Sequence, residues 1–493
     1  MIQGFDNIEH VVVVMMENRS FDNLLGWLYA DVDNHPPVNI PEQNPTTFDG
    51  LTKDGFFNQA ADGTKVFVSH PPTGWPPQNN PTVVPTPDPN EEFVNITEQI
   101  FGTKTPAPDA KADMSGFLKN YGSIAGAANS AGQIMQTFGP GQANVINALA
   151  RSFAVCDAWF ASCPCQTWPN RGFVHTGSSD GHVNNDNYEL YDIRTIFNVL
   201  EDKGVTWGVF HNTTLVPSLT WGQFLPQIAG YVDHFANFSS FLRRCSVTND
   251  QKLPAYSFVE PRFTPELGLF KVDYPNDYHP PHNICRGEQF LAQVYGAIRS
   301  SPYRDNILLV ITFDEHGGCY DHVPPPTGAA APEPGATSRD GSFHFDRYGV
   351  RVPALVVSSY VEPGTVFRAN AGEAPYDHTS ILATLRDWQG LDRNPHAPFL
   401  PSPRIKAAPT LQRVLKLSNA GPINPWPDIQ AKCSIDGRDE SLDTPLNSVQ
   451  KSLLATAKRD ESSGAVEQQV TAVEAKTKVT YADGLAHLYP AVQ

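Results

Sequence analysis

Short apolar runs alternate with amphipathic helical patterns along most of the chain. His10–Met16 and Ile307–Phe313 are continuous and rich in β-branched residues, the pattern of strands covered on both faces. Val352–Ser358 is a third such run. Between them, Gly287–Ser301 sets Phe290, Leu291, Val294, Tyr295 and Ile298 on one helical face. Ile193–Lys203 repeats the pattern with Ile193, Ile196, Phe197 and Leu200, and Asn144–Phe153 and Thr379–Trp388 are similar. Strands alternating with helices predict an α/β fold, a large and mostly parallel central sheet with helices on both faces. Ligands of such sheets gather at the carboxyl ends of strands. The first two runs end there in Glu17-Asn18 and Asp314-Glu315.

Two regions depart from this rhythm. Residues 36–108 hold fourteen prolines, which argues against regular helix or central strand. A long excursion over the site or the surface is expected, fixed by Phe67, Trp75 and Phe93. Beyond residue 402 the pattern thins. Thr444-Pro445 reads as the N-cap and first position of a short helix over 445–457, with Leu446, Val449 and Leu453 inward. Residues 458–478 read as a polar tail. The expected division is therefore a catalytic domain over 1–402, containing the Pro-rich insertion, and a C-terminal extension over 403–493.

The net charge of −17 argues against nucleic acid and polybasic membrane docking as partners. It leaves room for a cleft neutralised by a metal. No run reaches the roughly 18 apolar residues of a transmembrane segment. The opening residues lack the basic and apolar regions of a secretion signal, so the expected location is cytoplasmic, or outside by a route without a cleavable N-terminal signal. Seven irregularly spaced cysteines read as mostly free thiols.

A carboxylate beside an amide oxygen, as in Glu17-Asn18, suits a hard cation such as Ca²⁺, Mg²⁺ or Mn²⁺. The alternative is a helix cap with a solvated Glu17. Asp314-Glu315 repeats the arrangement before Gly317-Gly318, and adjacent carboxylates repel unless a cation or proton lies between them; the alternative is an exposed acidic turn. His279 and His282 flank Pro280-Pro281 and suit ligand, proton-donor or phosphate-contact roles. Two hydroxyls compete as nucleophile. Thr167 precedes Pro169 at a helix start, where the dipole and a metal would together stabilise an alkoxide. Ser179 lies in a G-x-S-x-G pattern, but that elbow needs a strand before it and a helix after it. Phe173–Thr176 is the strand it would use.

The segments ENRSFDNLLG (17–26), TWPNR (167–171), DEHGGCYDHVPPP (314–326) and FDRYGVRVPALVVS (345–358) together resemble the phosphoesterase family. That family comprises nonspecific phospholipases C and related acid phosphatases of the alkaline-phosphatase-like superfamily. CDAWFAS, YSFVEPRF, HPPH, RSSP and YDHTSI follow in the family's order over residues 10–400. The resemblance implies an alkaline-phosphatase-like fold and one divalent cation (Ca, Mg, Mn or Zn) on Glu17, Asn18, Asp314 and Glu315, with room for a second metal. It implies Thr167 as nucleophile, His279, His282 and His322 at the phosphate or leaving group, and Asn170 and His378 as substrate contacts. One departure stands out. Family members read DPGH where this chain has Asp88-Pro89-Asn90-Glu91, so Glu91 stands in place of a site histidine.

The expected activity is a metal-dependent phospholipase C that works through a phosphothreonine intermediate on phospholipid, with transient contact at a membrane surface. An acid phosphatase acting on small phosphate esters is the alternative. A metal-independent carboxylesterase built on Ser179 and a non-catalytic binding protein are the readings from other classes.

Overall fold

The computed structural model describes residues 3–53, 55–70, 82–185, 190–213, 218–267, 272–392, 399–421, 426–433, 435, 441–459 and 480–488. Nine strands form the main sheet: β1 His10–Met16, β2 Val38–Ile40, β3 Ala154–Cys156, β4 Trp207–His211, β5 Phe235–Asn237, β6 Tyr256–Glu260, β7 Ile307–Phe313, β8 Ala354–Val357 and β9 Thr365–Phe367. Their spatial order is β2-β9-β3-β8-β7-β1-β6-β4-β5. Every pairing is parallel except the two made by β8. Every residue of β1 and of β7 is buried, which is why both read as unbroken apolar runs without the alternation of a half-exposed strand.

The helices that matter below are α1 Phe21–Leu25, α2 Phe93–Phe101, α3 Asn144–Ser152, α4 Thr167–Thr176, α5 Ile284–Arg299, α6 Thr379–Gln389 and α7 Ser448–Arg459. They contact one another in two sets, with α1 and α5 on α3, and α6 on α4. The principal core runs from Phe5 to Ile429 through the sheet and both sets.

Register places the chemistry. Met16 of β1 lies opposite Phe313 of β7 in a parallel ladder, so Glu17-Asn18 and Asp314-Glu315 leave the sheet side by side. The Asp314 N–H donates to Met16 O (3.1 Å) and the Asn18 N–H to Asp314 Oδ1 (2.9 Å). Cys156 of β3 pairs with Ala354 of antiparallel β8, so the chain leading from β3 to α4 emerges at this same end. Two turns close the approach. Asn18 adopts φ 53°, a left-handed conformation that asparagine tolerates better than most residues. Gly317, at φ 60°, lies so close that a Cβ would stand 2.2 Å from Asn18 O.

The structure corrects several expectations. The Pro-rich stretch does contain regular elements. β2 pairs with β9 at the sheet edge, where proline is tolerated; Phe57–Gln59 and Lys65–Phe67 form a hairpin, and α2 is a nine-residue helix. Phe93 packs partly buried in a small cluster with Phe343, but Phe67 is exposed, and Trp75 lies outside the described residues. The helix expected over 445–457 begins at Ser448, because Pro445 is held in a bridge to Thr480. Leu446, Val449 and Leu453 are buried as expected; the tail over 460–479 lies outside the described residues. Cys285 and Cys433 form a disulfide 148 residues apart, and the other five cysteines are free and buried; so distant a pairing leaves no local spacing pattern to read. Residues 173–176 belong to α4, so the strand of an esterase elbow is absent, and the buried Ser179 hydroxyl donates to His182 O (2.7 Å).

A buried arginine ties the loops at this end together. Arg351 donates from Nε to Asp321 Oδ1 and from Nη2 to Asp22 Oδ1, each at 2.9 Å, and from Nη1 to the carbonyls of Asp49 and Asp157, each at 2.8 Å. Breaking a buried pair from one side leaves an uncompensated charge. Arg351→Met, which keeps the volume, is therefore expected to lower unfolding stability by about 3–5 kcal/mol in urea titration. A loss below ~1 kcal/mol would show that the loops hold without it.

Candidate active site

Thr167 is the first residue of α4, after the N-cap Gln166. Its hydroxyl faces Glu17 Oε2 at 3.1 Å and Asn18 Oδ1 at 3.4 Å. One turn on, Arg171 reaches the same carboxylate, with Nε 2.9 Å and Nη2 2.5 Å from Glu17 Oε1, and Nη2 also meets Met15 O at 3.2 Å. Arg171 was legible in the sequence only as part of TWPNR. The four-residue step from Thr167, which puts both on one helical face, is the signal that marks it.

The acids gathered here are short of positive charge. Burial, with Asp314 alongside, pushes Glu17 well above the usual carboxylate range, and Arg171 offsets part of this. Burial raises Asp314 too. It raises Glu315 well above its ordinary value, with Glu91 and Asp314 adding to the effect. Glu91 is pushed to about 7, chiefly by burial. Asp314 Oδ2 and Glu315 Oε1 are buried without a hydrogen-bond partner. Hard oxygen donors, too few counter-charges and two orphaned carboxylate oxygens fit a divalent cation held by Glu17, Asn18, Asp314 and Glu315.

A second group, Asp22, Asp321 and His322, has ligand atoms within 4.8 Å of one another and could hold an ion. Arg351 already lies between its two acids. Both ring nitrogens of His322 are already engaged: against the effect of burial, Asp22 and Asp49 hold them and push its pKa up to about 10. The fit to a cation is better at the Glu17 group.

Glu91 joins the site. It accepts from Asn18 Nδ2, from Gln166 Nε2 (3.2 Å) and from Ser448 Oγ (2.7 Å). Its Oε2 stands 3.6 Å from His279 Nε2. His279 is neutral, its pKa driven well down by burial. Its Nδ1 is bonded to Pro280 O, which puts the proton there and leaves the buried Nε2 as a bare acceptor without a hydrogen-bond partner. His282 Nδ1 pairs with Asp277 Oδ1 at 2.6 Å, and its Nε2 meets Gln450 at 3.3 Å. Asp277 also receives the Glu17 N–H on its carbonyl (2.8 Å). Asp277, Gln166, Ser448 and Gln450 were not anticipated; no motif in the sequence sets them apart from ordinary polar residues.

Three expected residues sit differently. His322 is not among the groups around Thr167: both its ring nitrogens are engaged, with Asp22 (2.6 Å) and Asp49 (3.1 Å). Asn170 spends its side chain on the 163–166 loop, accepting from Cys163 N and donating to the carbonyls of Cys163, Cys165 and Gln166. It shapes the turn before Thr167 and has no amide atom left for substrate. His378 donates from Nε2 to Asp314 O (2.6 Å) and receives Trp159 Nε1 on Nδ1 (3.3 Å), so it braces Asp314 from behind.

A family model described as Phosphoesterase family matches residues 8–392. The chain belongs to the phosphoesterase family. It is accordingly a hydrolase acting on phosphoric ester bonds. This phosphoesterase is 36% identical over 403 residues to non-specific phospholipase C3 of Arabidopsis thaliana, an overlap of 77% of this chain and 69% of that one. It is 35% identical over 393 residues to non-specific phospholipase C1 of the same plant, 78% of this chain and 67% of that one. Phospholipase C B of Mycobacterium tuberculosis (strain ATCC 25618 / H37Rv) is 26% identical over 476 residues, 82% of each chain. Among solved structures, a protein in the alkaline phosphatase superfamily from Vibrio parahaemolyticus overlaps 50% of this chain and 60% of that one, at 14% identity and a TM-score of 0.32. The fold described above rests on sheet order and not on that overlap.

The raised acids set a pH dependence. A carboxyl whose folded pKa exceeds its unfolded value holds its proton better in the folded chain, so its contribution is lost as pH rises through the folded pKa. After chelation, stability is expected to fall between pH 4.5 and about 7 as Glu91 and its neighbours ionise. Added divalent ion should abolish or invert that slope in thermal unfolding. A flat profile with and without metal would contradict the fit.

Proposed function

We propose that this phosphoesterase is a metal-dependent phospholipase C that works through a phosphothreonine intermediate. The observation that carries the reading is the Thr167 hydroxyl at a helix N-terminus, in contact with two of the four residues that suit a hard cation. A divalent cation at Glu17, Asn18, Asp314 and Glu315 would lower the pKa of that hydroxyl and offset the charge of phosphate oxygens.

The chain's own groups supply the rest. The Thr167 oxygen attacks phosphorus in line and the alcohol leaves, with the helix N-terminus favouring negative charge at the attacking oxygen. Arg171 holds Glu17 in place through Oε1, which frees Oε2 for the threonine. The proton that Thr167 gives up needs a base, for which the bare Nε2 of His279 is suited, and the same proton then goes to the leaving oxygen. The water that later releases phosphate gives its proton back along the same route, with the Asp277–His282 pair beside it. The names of the relatives support a phospholipid as substrate; small phosphate monoesters are the second reading.

Contact with the bilayer is supported by the hairpin of the Pro-rich stretch. Phe57 and Phe67 stand opposite each other across it, 38% and 41% exposed, with rings 5.5 Å apart and the Lys65 ammonium 4.1 Å from the Phe57 ring. Aromatic rings beside a lysine stem suit the interface between headgroups and acyl chains.

Thr167→Ala is expected to lower kcat on p-nitrophenylphosphorylcholine by about three powers of ten or more with unchanged unfolding stability. Acid quench of the wild type during turnover should leave phosphate on Thr167, read by mass spectrometry. Near-normal kcat in the variant would end the assignment, and a monoester cleaved faster than phosphatidylcholine vesicles would favour the phosphatase. The double variant Phe57→Ser/Phe67→Ser should sediment less with phosphatidylcholine vesicles while cleaving the soluble ester normally. Undiminished sedimentation would place the contact elsewhere.

A further inference from the structure

Asn18 carries an amide with two ends, and only one of them can face a cation. The carbonyl oxygen has lone pairs to give, whereas the NH2 group donates and has none. The rest of the residue is pinned. Its backbone sits at φ 53° with the N–H on Asp314 Oδ1 (2.9 Å), and its side chain is fully buried. What stays open is a half-turn of the amide plane, which exchanges Nδ2 for Oδ1 in almost the same space. The Thr167 hydroxyl, 3.4 Å from Oδ1, does not fix that choice, because a hydroxyl accepts as well as it donates.

A run of hydrogen bonds with only one consistent sense does fix it. It starts from two backbone N–H groups, which cannot be reversed. Trp168 N–H donates to Asn185 Oδ1 and Asn185 N–H to Gln166 Oε1, each at 2.9 Å. The other ends of those amides, Asn185 Nδ2 (3.0 Å) and Gln166 Nε2 (3.2 Å), therefore both donate to Ser448 Oγ. With two donors received, the Ser448 hydroxyl gives its own proton to Glu91 Oε1 (2.7 Å), which also accepts from Gln166 Nε2 (3.2 Å). Glu91 Oε2 is left to accept, so Nδ2 of Asn18 turns to it and Oδ1 faces the Thr167 hydroxyl, itself 3.1 Å from Glu17 Oε2. The reversed amide would set oxygen against oxygen at Glu91 and aim a donor at the cation. We propose that Glu91 is a positioning residue for the cation, turning the Asn18 amide so that Oδ1 faces the metal site, with Gln166 and Ser448 of α7 setting Glu91 in turn. The proposal rests on the cation reading above and adds what orients the one uncharged ligand of the four.

The test titrates Mn²⁺ calorimetrically into the full chain after chelation, so that affinity is read without turnover. Glu91→Ala admits water, which donates as readily as it accepts and chooses neither end of the amide. Its Mn²⁺ affinity is expected to fall by about 10–100-fold. Asn18→Asp presents an oxygen from both ends, so in that background Glu91→Ala should change the affinity by less than about threefold. Glu91→His, whose bare ring nitrogen accepts without carrying charge, should keep most of the wild-type affinity. Equal losses in the two backgrounds, no loss in either, or a loss in Glu91→His as deep as in Glu91→Ala overturns the proposal, since Glu91 then acts by charge or not at all. Thermal unfolding checks that each variant is folded, and Glu91→Leu, which fills the space without an acceptor, replaces Glu91→Ala if that variant is not. A wild type that binds none of Mn²⁺, Ca²⁺ and Mg²⁺ ends the cation reading, and this one with it.

Discussion

Two parallel strands in register set Glu17-Asn18 and Asp314-Glu315 side by side at one end of a fully buried ladder. Like charges that close, away from water, are unfavourable unless protons, a cation or basic side chains intervene. Arg171 is the basic group placed to compensate, and it binds one oxygen of one acid. The consequences spread outward. Acids stay protonated to higher pH, a hydroxyl is drawn against them, and the surrounding chain is built to hold a charge distribution that would otherwise push itself apart.

The braces come from distant parts of the chain. His378 holds the Asp314 carbonyl, Asn170 shapes the turn before Thr167, and Gln99 donates to Asn90 O while its amide oxygen meets His316 Nε2 at 2.8 Å. The segment after residue 441 closes the ring by placing Ser448 on Glu91 and Gln450 beside His282. Expected as an appendage, it is instead part of the wall. Its leucines and valine pack with Phe263, Leu219 and Tyr481, so its polar face is held where the site needs it.

Where sequence reasoning failed, it failed for physical reasons. Fourteen prolines suggested an irregular excursion, yet proline is excluded only from helix interiors and central strands. An edge strand, a hairpin and α2 fit between the prolines. His322 lies in the same loop as Asp314-Glu315 but is captured by Asp22 and Asp49 instead. A short loop can turn its successive side chains toward different partners, and nothing in the order DEHGGCYDH says which way each points. The esterase pattern around Ser179 failed on context: the residues before it are helical.

By itself the sequence determined the class of fold, the strand ends that carry the acids, the helix that presents Thr167, and the family. Each of these is written locally, in runs of apolar residues, in caps and prolines, and in the residues that end a strand. Only the tertiary structure decided that Arg171 compensates Glu17, that His279 keeps a bare Nε2 facing Glu91, that Cys285 meets Cys433, and that α7 walls the site. Those outcomes depend on contacts between residues tens to hundreds of positions apart. Periodicity records what a segment buries, but not what it is buried against.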